Sequence, residues 1–247
     1  SLIRGLGNLN YHIWIILDHC PESFKEMLSK YVDKKRATFI SSVKKGNKET
    51  FKKQIELLLD QNFSETVMFV EDDFFFFDGS LEKTVALIEN NPQAHFVTPF
   101  DHPDYYLPPL HRLKKDWISE DSQGWKSVCS TTLTFLTAKQ RLLQAEKIFL
   151  TYIKNNFDTS IWFTITKTFI ISRDIWSLGL RNGIYFRILI KIFIYGLSHL
   201  VFKPRLTLWA AEPTLATHME SKDLAPGVDW NECFDRLSQQ LLVKNSI

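Results

Sequence analysis

Three adjacent acids, Glu71, Asp72 and Asp73, are the residues of this chain whose types and spacing best suit chemistry. Side chains alternate along an extended segment, so Glu71 and Asp73 should point one way and Asp72 the other. Adjacent carboxylates repel one another, and a divalent cation that prefers oxygen ligands, Mn²⁺ or Mg²⁺, would compensate that repulsion. Such a cation can grip a diphosphate and neutralise charge on a departing nucleoside diphosphate. A solvated acidic turn is the alternative, and the four phenylalanines at 74–77 argue against it.

The first half of the chain predicts alternating strands and helices that would position these acids. Compact apolar runs indicate strands and amphipathic spacing indicates helices. Asp18 ends the first strand, which we expect to be buried on both faces, and the acidic triplet ends the third. In an open parallel sheet, ligands bind beyond the carboxyl ends of the strands. The predicted strands cover 13–17, 37–43, 67–70 and 95–98, and the predicted helices cover 1–9, 22–31, 48–60 and 81–90, the last capped by the turn at 78–80.

The second half predicts a long loop over the site at 101–127, a β-like run at 130–136 and a helix at 138–153. The stretch 184–202 is strongly apolar and close to the length that crosses a bilayer. Arg187 and Lys191 interrupt it on one helical face, which favours a helix lying in the membrane interface with its cations toward lipid phosphates. A buried core helix with snorkelling cations is the alternative.

Composition limits the classes of function. The 247 residues are 45% hydrophobic with a formal net charge of +2, so a substantial core forms and no general charge argument favours nucleic-acid binding. Cys20, Cys129 and Cys233 have no metal-binding spacing and favour a reducing compartment. The chain starts at Ser1, inside a predicted helix and without a signal peptide, so we expect that upstream residues are missing.

The run 67–73, followed by residues 78–81 and a helix ending at Asn91-Pro92, resembles family 2 glycosyltransferases of the glycosyltransferase-A fold. These enzymes carry a DxD-like acidic motif after a buried strand. The resemblance covers roughly residues 1–160 and implies an α/β, Rossmann-like, mostly parallel sheet flanked by helices, with a C-terminal helical, membrane-associating extension. The chain departs from the family pattern at its start, where the family's first strand is absent, and we expect N-terminal truncation to explain that absence.

The resemblance implies a metal-dependent, inverting transfer of a sugar from a nucleoside-diphosphate sugar, with a UDP-sugar as the family's usual donor. The acceptor would be a glycan or a lipid-linked molecule in surface polysaccharide biosynthesis. The enzyme would be cytoplasmic, at the inner face of the membrane. Residues 1–160 would bind the nucleotide-sugar and carry catalysis, and residues 161–247 would complete the site and contact the membrane.

The same resemblance assigns the donor side of the site. Asp73 would be the direct metal ligand, Glu71 would contact the ribose or a metal-bound water, and Asp72 the donor sugar or ribose. Asp18 would hold the nucleoside. His218, in a P-x-L-x-x-H setting, would complete the metal shell as a late histidine does in enzymes of this fold. A lone histidine is otherwise a satisfied polar residue.

Asp158 is the candidate catalytic base, because inverting enzymes need a carboxylate that takes the proton of the acceptor hydroxyl. A plain helix N-cap is the alternative for this residue. Glu120, Asp121 and Asp174 are competing candidates for the base.

Residues of the types that bind sugars predict a site for the acceptor. Asp101 and Tyr105 follow a strand end and suit a ligand rich in hydroxyl groups, although an ordinary proline-stiffened loop explains them equally well. Trp125 and Trp117 could stack on an acceptor ring, but tryptophan is more often part of the core.

Two other functions fit the same residues. One is a catalytically silent carbohydrate-binding or membrane-surface module that keeps the fold without the chemistry. The other is a sugar-nucleotide nucleotidyltransferase, which the visible sequence disfavours because it shows no Gly-rich phosphate loop.

Overall fold

Two parallel strands open the fold. The structure is a computed structural model that describes residues 1–106, 115–168, 177 and 181–236. After a short helix, α1 (Leu2–Gly5), strand β1 (Ile13–Asp18) pairs in parallel with β2 (Ala37–Ser42), and helix α2 (Glu22–Leu28) connects them. The expected burial of β1 on both faces is wrong. Only Leu17 is buried in β1, because this pair forms a small sheet of its own and not the centre of a large one.

The main sheet has six strands in the order β3-β8-β5-β9-β7-β6. Only the β5–β9 pair is parallel. The prediction of an α/β fold is confirmed, but the prediction of a mostly parallel sheet is wrong. The reason is that β8 enters between β3 and β5 in the reverse direction and that β6 and β7 form a hairpin at one edge. The strands are β3 (Thr66–Phe69), β5 (Phe96–Thr98), β6 (Trp117–Glu120), β7 (Gln123–Val128), β8 (Phe135–Ala138) and β9 (Leu208–Glu212).

The helices of the first half lie where apolar spacing predicts them. Phe51, Ile55 and Leu58 share one face of α3, and all three are buried in the main core. That core also holds the aromatic rings of Phe96, Phe135 and Trp162. The helices are α3 (Asn47–Asp60), α4 (Ser80–Asn90), α5 (Lys139–Phe149) continued by a 3₁₀ turn (Leu150–Lys154), α6 (Asp158–Thr166) and α7 (Gly183–Phe202).

The predicted long loop at 101–127 is wrong in its second part. A 3₁₀ turn (Pro103–Tyr106) is followed, beyond residues 107–114 that lie outside the description, by the β6–β7 hairpin. Its turn residues, Asp121 and Ser122, both have positive φ, as a two-residue hairpin turn that matches strand twist requires. The β-like run predicted at 130–136 starts later, at Phe135.

A second small sheet joins residues that are far apart in the chain. Strand β4 (Phe74–Phe76) pairs antiparallel with β10 (Ala216–His218), and Phe74 lies opposite His218. All three phenylalanines of β4 are buried, in a second core cluster with Phe100 and Trp230. This pairing positions the acidic triplet, which directly precedes β4.

The C-terminal part of the chain is built into the fold. The predicted division between residues 160 and 161 falls inside α6. Strand β9 lies between β5 and β7 in the main sheet, and β10 pairs with β4. Residues after 161 therefore complete both the main core and the sheet beside the acids.

Candidate metal centre

Asp73 and His218 meet beside the β4–β10 pair. The backbone N–H of Met219 donates to the carbonyl of Asp73 at 2.8 Å, which extends the pairing by one residue. His218 Nε2 lies 3.1 Å from Asp73 Oδ2. Glu220 joins them, and one ligand atom from each of the three residues lies within 4.8 Å of the others. The sequence predicted the first two residues as metal ligands, and the structure brings them together.

Asp73 carries an atom that this protein leaves unused. Its Oδ1 is buried and has no hydrogen-bond partner among the residues that the structure describes. Burying a carboxylate oxygen without a partner is costly, and a cation would remove that cost. The set of two carboxylates and one imidazole could hold a divalent metal, and it suits Mn²⁺ better than the harder Mg²⁺, which favours oxygen ligands alone.

Glu71 is held by the segment that leads into β8. Its Oε2 accepts hydrogen bonds from the backbone N–H of Leu133 at 3.1 Å and from the Thr134 hydroxyl at 3.3 Å. Burial, and then the neighbouring charge of Asp73, raise the pKa of Glu71. Glu71 and Asp73 are half-buried and Asp72 is exposed, which agrees with the predicted alternation. Asp72 is thus the acid of the triplet that is open to solvent.

Beside the candidate metal centre, contacting aromatic rings connect His218 to another histidine, His102. Phe74 touches the His218 ring at 5.2 Å and Phe100 at 5.3 Å, and Phe100 touches His102 at 5.2 Å. Burial lowers the pKa of His102, although nearby carboxylates, Asp158 among them, oppose that effect. Phe74, the first of the four phenylalanines after the triplet, thus packs against His218.

Asp158 lies in the same electrostatic neighbourhood. Burial raises the pKa of Tyr152, and the charges of Asp158 and Glu71 raise it further. Asp158 is the first residue of α6 and Phe157 is its N-cap, so the alternative reading as a plain cap is wrong. Asp158 Oδ1 accepts from the Thr159 N–H at 2.6 Å, whereas its Oδ2 has no hydrogen bond within the described part of the chain.

Asp18 binds its own loop. Its Oδ1 accepts from the Ser42 hydroxyl and the Lys45 N–H, and its Oδ2 accepts from the Gly46 N–H, at 2.7 to 2.9 Å. The two backbone N–H groups and then the hydroxyl lower the pKa of Asp18. The carboxylate therefore shapes the turn that leads from β2 into α3, and a nucleoside would have to share it.

The predicted acceptor-binding residues are internal. Trp125, on β7, has no exposed surface, so the prediction that it stacks on an acceptor is wrong. Tyr105 is buried and donates its hydroxyl proton to the Ser130 carbonyl at 2.6 Å. Asp101 is buried against Lys126, with its Oδ1 2.7 Å from the ammonium. These side chains are internal because β7, which the sequence did not predict, carries Trp125 and brings Lys126 to Asp101 and over the Tyr105 ring.

Two of the competing base candidates lie in the β6–β7 hairpin at the edge of the main sheet. The side-chain amides of Asn90 and Asn91 donate to the carboxylate of Glu120 at the edge of the main sheet. Asp121 lies in the adjacent hairpin turn. Asp174 lies outside the described residues. Trp117 is exposed on the edge strand β6, and its stacking role stays a prediction.

Two residues of the site region were missed from the sequence. Glu220 follows His218 by two positions, and an acid at that spacing on extended chain lies on the same side, which was a usable signal. Lys126 was missed because nothing in the sequence marks one lysine as fully buried. A scan of family models found no match to this chain, and searches of the curated proteins and of the solved structures found none either.

Proposed function

We propose that this protein is a metal-dependent glycosyltransferase that uses a nucleoside-diphosphate sugar. The observation that carries the proposal is the meeting of Asp73, His218 and Glu220, together with the other carboxylate oxygen of Asp73, Oδ1, which is buried and has no hydrogen-bond partner among the described residues. Metal-binding groups that come together from sequence-distant parts of a chain, beside an unsatisfied buried atom, are typical of a site built for a ligand. The acidic triplet at a strand end supports a diphosphate as that ligand.

In this proposal Asp73, His218 and Glu220 hold Mn²⁺, with Mg²⁺ as the less suitable ion. The cation would supply charge neutralisation for the departing nucleoside diphosphate. Asp72, exposed beside it, reaches the donor sugar or ribose. Glu71, held by Leu133 and Thr134, presents its second oxygen to the ribose or to a metal-bound water.

Asp158 is the proposed base. Because Thr159 occupies Oδ1, the atom that takes the proton from the acceptor hydroxyl is Oδ2. The acceptor oxygen then bonds to the anomeric carbon as the bond from that carbon to the diphosphate breaks, with inversion. The glycosyltransferase-A fold, the UDP-sugar donor and a glycan or lipid-linked acceptor in surface polysaccharide synthesis belong to this proposal.

The test is hydrolysis of a panel of nucleotide-sugars by the full-length protein, with and without Mn²⁺, followed through release of nucleoside diphosphate. Asp73→Asn should lower the Mn²⁺-dependent rate by roughly 100-fold or more, because it weakens a direct ligand. Asp78→Asn is the matched control: this acid lies five positions further along, is exposed, and pairs with Arg4. Equal rates for wild type and Asp73→Asn would refute the proposal.

A silent carbohydrate-binding module is the second candidate. The observation that favours it is the Asp18 carboxylate, which is engaged with its own loop and is not left open for a nucleoside. Glycan binding without turnover of any donor would support it. Release of nucleoside triphosphate when sugar nucleotides are incubated with pyrophosphate would instead identify a nucleotidyltransferase.

A further inference from the structure

Helix α7 (Gly183–Phe202) presents two different faces. Its inner face packs on the protein: Ile188, Leu189 and Ile192 are buried in a cluster with Phe163 of α6. Gly196 lies so close to α6 that an added Cβ would meet Thr164 Oγ1 at 2.6 Å. By length and composition the helix could cross a membrane. However, 33% of its apolar 18-residue stretch is buried inside the protein, so the inner face packs on α6 and not on lipid.

The outer face is a continuous apolar stripe. Its side chains recur every three or four positions, which places them on one line along the helix. Ile194 and Val201 expose 66% and 62% of their surface. From first to last the stripe is about 22 Å long at 1.5 Å per residue. Its members are Phe186, Ile190, Ile194, Leu197 and Val201, all exposed.

Positive charge borders this stripe. At 100° per residue Arg187 lies along one edge, beside Ile194, and it is exposed. Arg181 precedes the helix, and Lys203 and Arg205 follow it, all exposed. Residues 175–211 contain no Asp or Glu. Lys191, predicted to face lipid phosphates, is instead half-buried, donating to the Asn155 carbonyl and lying over the Phe157 ring.

We propose that α7 docks the protein on a bilayer surface rich in anionic phospholipid, lying in the plane of the interface. The stripe would enter the boundary between headgroups and acyl chains while Arg187, Lys203 and Arg205 meet lipid phosphates. The inference does not depend on the proposed catalysis.

A second copy of the chain fits this face less well. One row of side chains offers roughly a few hundred Å², whereas a stable dimer buries about 800 Å² per partner. A symmetric α7–α7 contact would also bring the arginine edges together without any acid from residues 175–211 to pair with them. Anionic lipid complements both the apolar stripe and the charge.

Cosedimentation of the full-length protein with vesicles tests the proposal. Binding is expected with phosphatidylcholine vesicles that contain roughly one-third phosphatidylglycerol, and it should weaken on pure phosphatidylcholine. The double variant Ile194→Glu, Leu197→Glu should bind at least about tenfold more weakly. Leu143→Glu is the matched control, because Leu143 is also an exposed leucine on a helix, on α5, and should leave binding unchanged.

Arg187→Glu separates the charge from the apolar stripe, and it should weaken binding to anionic vesicles more than binding to neutral ones. Circular dichroism of each variant shows that the fold is kept. The proposal is overturned if the wild type stays in the supernatant with anionic vesicles, or if the double variant sediments as the wild type does. A dimer in light scattering that the double variant dissolves, without vesicle binding, would assign the stripe to a second copy. Resistance to alkaline carbonate extraction would overturn the interfacial placement.

Discussion

Replacing Lys126 by methionine should destabilise this protein more than any exposed substitution, because it breaks a buried ion network. The Lys126 side chain is fully buried and its ammonium lies 2.7 Å from Asp101 Oδ1, from Glu212 Oε2 and from the Tyr106 hydroxyl. Burial acts to lower the pKa of Lys126, but the hydrogen bonds to Asp101, Glu212 and Tyr106 outweigh it and raise that pKa. Tyr106 also donates its hydroxyl proton to Asp101 Oδ2 at 2.5 Å.

The size of the effect follows from what the variant leaves behind. The Asp101 side chain is 3% exposed, so without Lys126 its charge is buried and uncompensated. Breaking a buried ion pair in this way typically costs about 3–5 kcal/mol. Protonation of Asp101 limits the loss: taking an ordinary aspartate from a pKa of about 3.9 to neutrality at pH 7 costs about 1.36 × 3.1, or about 4 kcal/mol. Glu212 is partly exposed and can be solvated.

The sign of the pH dependence is the sharper part of this prediction. Burial already raises the pKa of Asp101, and losing Lys126 raises it further. An acid whose folded-state pKa is raised destabilises the fold as pH rises above its unfolded pKa. The cost of protonating Asp101, which limits the loss of stability, is about 1.5 kcal/mol at pH 5. The variant should therefore lose about 3–4 kcal/mol at pH 7 and only about 1–2 kcal/mol at pH 5.

Urea unfolding followed by circular dichroism at both pH values measures the change in the free energy of unfolding. Lys52→Met is the control, since its pair with Glu56 is exposed and 3.8 Å long, and should cost only a few tenths of a kcal/mol. Adding Asp101→Asn to Lys126→Met should recover part of the loss, because it removes the buried charge. A cost below about 1 kcal/mol at pH 7, or one that does not shrink at pH 5, would refute the reasoning.

Three further predictions concern packing and titration. Gly196→Ala should cost about 1–3 kcal/mol in urea unfolding, because the new Cβ meets Thr164 on α6, whereas Ser198→Ala on the exposed side of α7 should change stability by less than about 0.5 kcal/mol. Burial, followed by Lys167 and Lys203, lowers the pKa of His199 to about 4. Between about pH 6.5 and pH 4 the unfolded state therefore binds more protons than the folded state, so the free energy of unfolding falls as the pH falls. After allowance for partial solvent access, His199→Leu should remove about 2 kcal/mol of this loss of stability. Glu71→Gln should stabilise the protein by roughly 1 kcal/mol at pH 7 and not near pH 4, because the ionised Glu71 is buried beside Asp73 and its pKa is raised; identical unfolding curves at pH 7 would contradict it.

Local elements were predictable from the sequence because their signals are local. Strands β1 and β2 and helices α3 and α4 lie within a residue or so of their predicted bounds. The turn predicted at 78–80 does supply the cap, because Gly79 is the N-cap of α4. The pairing of Asp78 with Arg4 was not predictable, because the two residues are 74 positions apart and no local pattern contains both.

The predicted acceptor-binding residues are buried because of a strand pairing that the sequence did not show. The turn Asp121-Ser122 lacks the glycine that usually marks a two-residue hairpin turn, so the β6–β7 hairpin read as loop. Once β7 lies between β9 and β6, Trp125 and Lys126 become internal and Asp101 gains a buried partner. The same residue types in an open loop would have been suitable for a sugar. Asp101, Trp125 and Lys126 stabilise the fold because of where strand pairing places them, and their residue types alone do not show this.

The candidate metal centre shows both what the sequence could predict and what it could not. Asp73 and His218 were each recognisable as possible ligands, but four phenylalanines in a row carry no alternation and so did not predict β4. The β4–β10 register places His218 opposite Phe74, one residue from Asp73, and the Met219 N–H to Asp73 carbonyl bond closes the pair. Backbone pairing thus sets the distance between the two side chains before any ion is bound. Asp73 Oδ1 is buried without a hydrogen-bond partner in the described part of the chain, and a ligand that bound it would remove the cost of that burial.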